Sequence, residues 1–165
     1  MEKRFVERFK ALETLDENSS AKQKQQRGRD FETLINDVFE FEKVLLKRPS
    51  HTTDNKSQQI DGVVKISDRI FLLEIKWASK SLPASVLHSF HGKVDGKFGA
   101  PKGIFISRNS LSSNFIKALT DKRKQTVLVI HGKDLDDLFI ENGPNLTDYI
   151  NHSVEIMSYD NVSYY

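Results

Sequence analysis

The sequence predicts an α/β protein, a central mixed β-sheet flanked by helices. Three observations carry this. Residues 60–66 and 69–77 are two apolar, β-branched runs joined by Ser67-Asp68, which reads as an antiparallel hairpin. Two further apolar runs, residues 103–108 and 126–131, follow at intervals filled by apolar residues three and four apart. Strands alternating with helical segments are the pattern of sheets covered on both faces. Two more segments of helical period precede the hairpin.

Residues 3–16 carry Phe5, Val6, Phe9, Leu12 and Leu15 at helical spacing. Five apolar groups on a terminal helix need a partner surface, and a dimer interface is one such surface. Residues 16–26 are polar and basic, either an exposed loop or a polar helix running into the next one. Residues 27–41 form a helix with Phe31, Leu34, Ile35, Val38 and Phe39 on one face, while Glu40 and Glu42 read as solvated. We therefore divide the chain into an N-terminal amphipathic helix with a polar basic segment, residues 1–26, and a main domain, residues 27–165. Residues 42–48 read as a first strand stopped by Pro49. Residues 50–59 are a polar loop entering the hairpin, in which His51, Asp54 and Lys56 read as surface residues.

After the hairpin, Pro83 suits the start of a helix running to about Lys93, with Val86, Leu87, Phe90 and Val94 inward. The glycine-rich stretch 95–103 lacks the Gly-Lys-Ser/Thr ending of a phosphate-binding loop. Ser110 to Ser113 offer N-caps to a helix carrying Phe115, Ile116 and Leu119, closed by Lys122, Arg123 and Lys124. Residues 133–140 read as a short helix. The tail reads as a further helix and an edge strand at residues 154–157, with Tyr159, Tyr164 and Tyr165 at a frayed end.

Composition bounds the function. The 165 residues allow one domain with a sizeable core, and 38% apolar with 29% charged residues reads as globular and soluble. Eleven Phe predict an aromatic core. The absence of Cys excludes disulfides, thiolate ligands and Cys nucleophiles. No run is long and apolar enough for a membrane span, and the N-terminus lacks a signal-peptide core, so a cytoplasmic protein is expected. A net charge of +2 disfavours a purely electrostatic nucleic-acid binder. Local basic runs, at residues 22–29, 76–80 and 122–124, remain available to phosphates.

The chemistry concentrates at the hairpin end. Glu74 and Lys76 are two apart and share a sheet face. A two-residue turn at Ser67-Asp68 sets Asp61 opposite Glu74 and Gln59 opposite Lys76, unless the strand bulges. Two facing carboxylates repel without a cation between them. Oxygen donors suit Mg²⁺ or Mn²⁺, with Lys76 beside them for a phosphate or an attacking water. The alternative is a salt-bridge cluster in which Lys76 neutralises both acids. The matched Asp on the partner strand favours the metal.

Asp61 followed, after twelve intervening residues, by Glu74-Ile75-Lys76 resembles the PD-(D/E)XK nuclease superfamily. Gly28-x-x-Phe31-Glu32 on the preceding helix, Ile60-Asp61-Gly62, Glu74-x-Lys76 and the later strand 103–107 are similar to its Mrr-type restriction endonuclease branch. The proline often found before the first Asp is Ile60 here. The resemblance implies a restriction-endonuclease-like fold and a Mg²⁺- or Mn²⁺-dependent DNA endonuclease of restriction or anti-phage defence. It also implies Asp61, Glu74 and the Ile75 carbonyl as metal ligands, Lys76 on the attacking water, and Glu32 joining the metal site. Gln59, Lys80, Arg27, Arg29 and Lys93 are candidate nucleic-acid contacts. DNA is the expected partner, with RNA the other polymer, and the chain is expected as a homodimer or within a larger assembly. A structure-selective nuclease of junction-resolvase type, a non-catalytic nucleic-acid-binding module and a partner-activated effector fit the same residues.

Overall fold

The most apolar run of the chain becomes the middle strand of a five-stranded sheet. In the computed structural model, which describes residues 1–14, 19–49, 59–78, 80–99, 101–120, 126–141 and 143–160, this strand is β3, Arg69–Lys76. It pairs antiparallel with β2, Gly62–Ile66, which pairs antiparallel with β1, Leu45–Lys47. On its other side β3 pairs parallel with β4, Lys102–Ser107, and β4 with β5, Val127–His131. The sheet is therefore mixed, in the order β1-β2-β3-β4-β5.

The hairpin turn falls at Ser67 and Asp68, whose φ values of 47° and 63° are both left-handed. Two left-handed residues make the turn whose twist matches that of the flanking strands. This turn fixes the register Val63 with Leu72 and Val64 with Phe71, and so decides which side chains of β3 face which layer.

Alternation along β3 separates two cores. Phe71, Leu73 and Ile75 join a cluster with α1 (Lys3–Glu13), α2 (Ala21–Phe41), α5 (Lys133–Phe139) and α6 (Leu146–Asp160). Leu72 joins a second cluster with α3 (Ala84–Asp95) and α4 (Ser113–Thr120). The three-layer arrangement follows from sheet residues that are apolar on both faces. Gly103 of β4 makes room for α3: a Cβ there would lie 2.7 Å from the Phe90 ring.

Several expectations need correction. Helix α2 begins at Ala21 and not at residue 27, so of the two alternatives for residues 16–26 the polar helix running into the next one holds from there. There Ser20 and Gln23 form a reciprocal capping box that satisfies two free backbone N–H groups. The first strand is shorter than residues 42–48, because Lys43 adopts a left-handed φ of 60° in the turn leaving α2. Glu42 is not solvated: its carboxylate accepts hydrogen bonds from the backbone N–H groups of Leu146 (3.0 Å) and Thr147 (2.8 Å) and from the Thr147 hydroxyl. It thus caps α6 from the far side of the sequence. Residues 154–157 form no edge strand. They lie within α6, where Val154 and Met157, one helical turn apart, pack on the first core. The apolar face of α1 is used within the chain: Phe9 is fully buried, stacked 4.7 Å from Phe139 and 5.9 Å from Trp77. The readings made for Leu15, His51, Asp54, Lys56, Lys122, Arg123, Lys124, Tyr164 and Tyr165 lie outside the described residues.

Candidate active site

The site forms where β3 ends. Asp61 stands one residue ahead of β2, and its backbone N–H bonds the Leu73 carbonyl at 3.0 Å. Gly62 is also the ladder partner of Leu73. Two residues of one strand thus meet one of the other, and the register that set Asp61 opposite Glu74 slips by a bulge. The bulge swings the Asp61 carboxylate across the hairpin, so that Oδ2 accepts from the Ile75 N–H at 2.8 Å.

Helix α2 holds this bulge from the other side of the sheet. Asn36 is fully buried amid the apolar face of α2. Its Nδ2 donates to the Asp61 carbonyl and to the Glu32 carbonyl, each at 2.9 Å. The approach is close enough that a Cβ on Gly62 would lie 2.7 Å from Asn36 Oδ1 and 2.9 Å from Leu73 Cδ1. Glycine is therefore required there for packing. Asn36 escaped sequence reasoning, although a lone amide among Phe31, Leu34, Ile35, Val38 and Phe39 is a usable signal, since buried polar groups are hydrogen-bonded.

Two ammonium groups serve the acids. Lys76 Nζ lies 3.0 Å from Asp61 Oδ2 and 2.9 Å from Glu74 Oε1. Lys93 Nζ, reaching over from α3, lies 2.7 Å from Glu74 Oε2. Both carboxyl side chains are buried, and the two ammonium groups supply the opposite charge that a buried carboxyl pair needs. Burial pulls the Lys76 pKa down, but the charges of Asp61 and Glu74, together with hydrogen bonds to both, outweigh it and leave the pKa raised. Lys76 is thus an ammonium at neutral pH, a donor rather than a base.

The strand exit is clamped. The Asn109 side-chain amide bonds both the N–H and the carbonyl of Ala78, and the Arg108 N–H bonds the Lys76 carbonyl at 3.2 Å. Arg108 in turn reaches Glu13 of α1 at 2.6 Å and Asp136 of α5 at 3.1 Å.

The structure thus brings Asp61, Glu74, Lys76 and Lys93 together. Glu32 is half-buried on the turn of α2 that shares Asn36 with Asp61. Ile75 is buried, with its N–H on Asp61. Arg27 lies with its guanidinium 5.0 Å from the Trp77 ring, next to the end of β3. Gln59, Arg29 and Lys80 are exposed, Gln59 two residues ahead of Asp61 and outside the ladder. Among the described residues no group of three or more His, Asp or Glu side chains converges as a metal cluster. The donors present are two carboxylates aimed at one point that a cation, Lys76 Nζ, already holds. Hard oxygen donors converging on a cationic point fit a divalent ion of the Mg²⁺ class.

A family model described as restriction endonuclease, of the Mrr catalytic type, matches residues 23–139. The chain belongs to this family. The match runs from the first turn of α2 to the end of α5 and takes in every residue of the acid–ammonium cluster. The five-stranded mixed sheet flanked by helices is the restriction-endonuclease-like fold of an Mrr-type domain. Helices α1 and α6 fall outside the matched stretch, although both contribute residues to the first core. No curated protein and no solved structure matches the chain.

Proposed function

We propose that this Mrr-type domain is a metal-dependent endonuclease that hydrolyses phosphodiester bonds of DNA, acting in the cytoplasm in restriction or anti-phage defence. The observation that carries the reading is the convergence of Asp61 Oδ2 and Glu74 Oε1 on one cationic point. Asp61 and Glu74, with the Ile75 carbonyl, are the residues that would hold Mg²⁺ or Mn²⁺. Such an ion, when bound, supplies Lewis acidity to a water and to the phosphate.

The remaining work falls to the chain's own residues. The Ile75 N–H and Asn36 keep Asp61 from turning away. Lys76, already an ammonium, offers its protons to a non-bridging phosphate oxygen and to the water, and steadies charge that grows during in-line attack at phosphorus. Glu32, one turn from Asn36, assists from α2. Arg27, beside Trp77, and Arg29, Lys80 and Gln59 offer donors to neighbouring phosphates.

Cleavage of supercoiled plasmid in Mg²⁺ or Mn²⁺ tests this, with wild type beside Glu74→Gln and Lys76→Ala. Wild type is expected to convert supercoiled DNA only with metal present, and each variant to lose about a hundredfold or more in rate. A nicked first product is expected from one acid pair acting alone, a linear one from paired domains. Metal-dependent cleavage undiminished in both variants overturns the assignment.

A further inference from the structure

Lys93 is placed where no strand pattern would put it. It sits in the last turn of α3, whose Phe90 and Val94 are buried, and its side chain is 16% exposed. At 2.7 Å it covers Glu74 Oε2, while Lys76 covers Oε1. Glu74 therefore has a cation on each oxygen, and the two ammonium charges cancel the two carboxylate charges of the cluster. A divalent ion entering this neutral site between Asp61 Oδ2 and Glu74 Oε1 meets no net attraction, because Lys93 on Oε2 competes for the charge of the same carboxylate. Once there, it leaves the cluster with two uncompensated positive charges. A single phosphodiester cancels one, and a second phosphate along the same strand cancels the other.

Resting on the nuclease reading above, we infer that Lys93 is a positioning residue that couples the metal to the polynucleotide: it occupies Glu74 in the metal-free protein and moves to a strand phosphate when the ion binds. The two ligands then bind with positive cooperativity, each raising the affinity for the other by the same factor. Metal loading is thereby confined to protein already carrying a polyanion.

Two binding measurements test this without reading turnover. The first is calorimetric titration of the free protein with Mn²⁺. The second is duplex DNA binding in Ca²⁺, measured by fluorescence anisotropy. Lys93→Met removes the competing ammonium and is expected to tighten Mn²⁺ at least about tenfold in the free protein. The same variant is expected to weaken DNA about tenfold, because a phosphate partner is lost. Lys93→Arg, which keeps the charge, is expected to stay near wild type in both, and melting curves establish that each variant is folded. Loss of packing alone moves both affinities downward, so the opposite signs are the signature. An Mn²⁺ isotherm that depends on Glu74, shown by its loss in Glu74→Gln, but is unchanged or weakened by Lys93→Met overturns the coupling alone. An isotherm indifferent to Glu74→Gln overturns the metal site itself and the coupling with it. Should Lys93→Met not fold, loss of the Glu74-dependent isotherm in Lys93→Arg likewise counts against the coupling, and retention counts for it.

Discussion

Asp37 shows how one carboxylate can tie three elements together. Its two oxygens accept from Arg8 of α1 and from Arg48 just after β1, each at 2.7 Å, while Asp37 itself belongs to α2. Burial pushes its pKa up, but the hydrogen bonds and charges of Arg48 and Arg8 outweigh that and hold it below the ordinary 3.8. A depressed carboxylate pKa means that the unfolded chain binds the proton more readily than the folded one. The stabilisation is therefore fully present above pH 3.8 and is lost as pH falls through the lower folded value. Asp37→Asn should lower Tm at pH 7, and the gap from wild type should close as melting is repeated down to about pH 3. Lys76 runs the other way: its raised pKa contributes stability below its ordinary 10.5 that is lost only as pH rises through the folded value. The site therefore keeps its ammonium across the neutral range. The alternation of β3 was enough to read Glu74 and Lys76 onto one face. The partner of Glu74 on α3 was not readable, because no local period relates residues 74 and 93.

At the scale of elements, long-range side chains finish what local sequence leaves open. Helix α6 is capped locally only in part, by Asn145 Oδ1 on the Asp148 N–H at 2.8 Å, and Glu42 takes the Leu146 and Thr147 N–H groups from the end of α2. A carboxylate on free N–H groups at a helix start is favoured both as acceptor and by the helix dipole. Glu42→Ala should cost about 1–2 kcal/mol and should raise hydrogen exchange in the first turn of α6 ahead of global unfolding. Native-state exchange checks both parts. The same dependence explains a misreading. Residues 154–157 carry three apolar residues in four, which suits a strand as well as a helix, and only docking beside α2 chooses the helix. The hairpin was legible for the opposite reason: its turn residues and its alternation are both local.

For the molecule as a whole, α1 decides how much of the chain folds together. Phe9 lies 4.7 Å from Phe139, 5.9 Å from Trp77 and 6.3 Å from Phe31, so one side chain joins α1 to α5, to α2 and to the residue following Lys76. Glu13 at the end of the same helix pairs with Arg108, whose backbone N–H holds the Lys76 carbonyl. Phe9→Ala should therefore lower stability by about 3–5 kcal/mol, and should do so in one cooperative transition followed equally by Trp77 fluorescence and far-UV circular dichroism. A separate early transition of α1 in denaturant would show instead that the helix is an appendage. Among the described residues no helix is long and apolar enough to cross a membrane.

By itself the sequence determined the layers, the hairpin register and the shared face of Glu74 and Lys76, because each depends on spacing between near neighbours: period two, period 3.6 and a two-residue turn. The tertiary structure decided the rest. It decided the bulge that turns Asp61 toward the Ile75 N–H, the Asn36 amide that holds it there, and the Lys93 ammonium on the far oxygen of Glu74. Each of these joins residues from different elements, and their meeting is set by how whole helices pack on the sheet, a balance of buried area and side-chain volume that no short window of sequence contains.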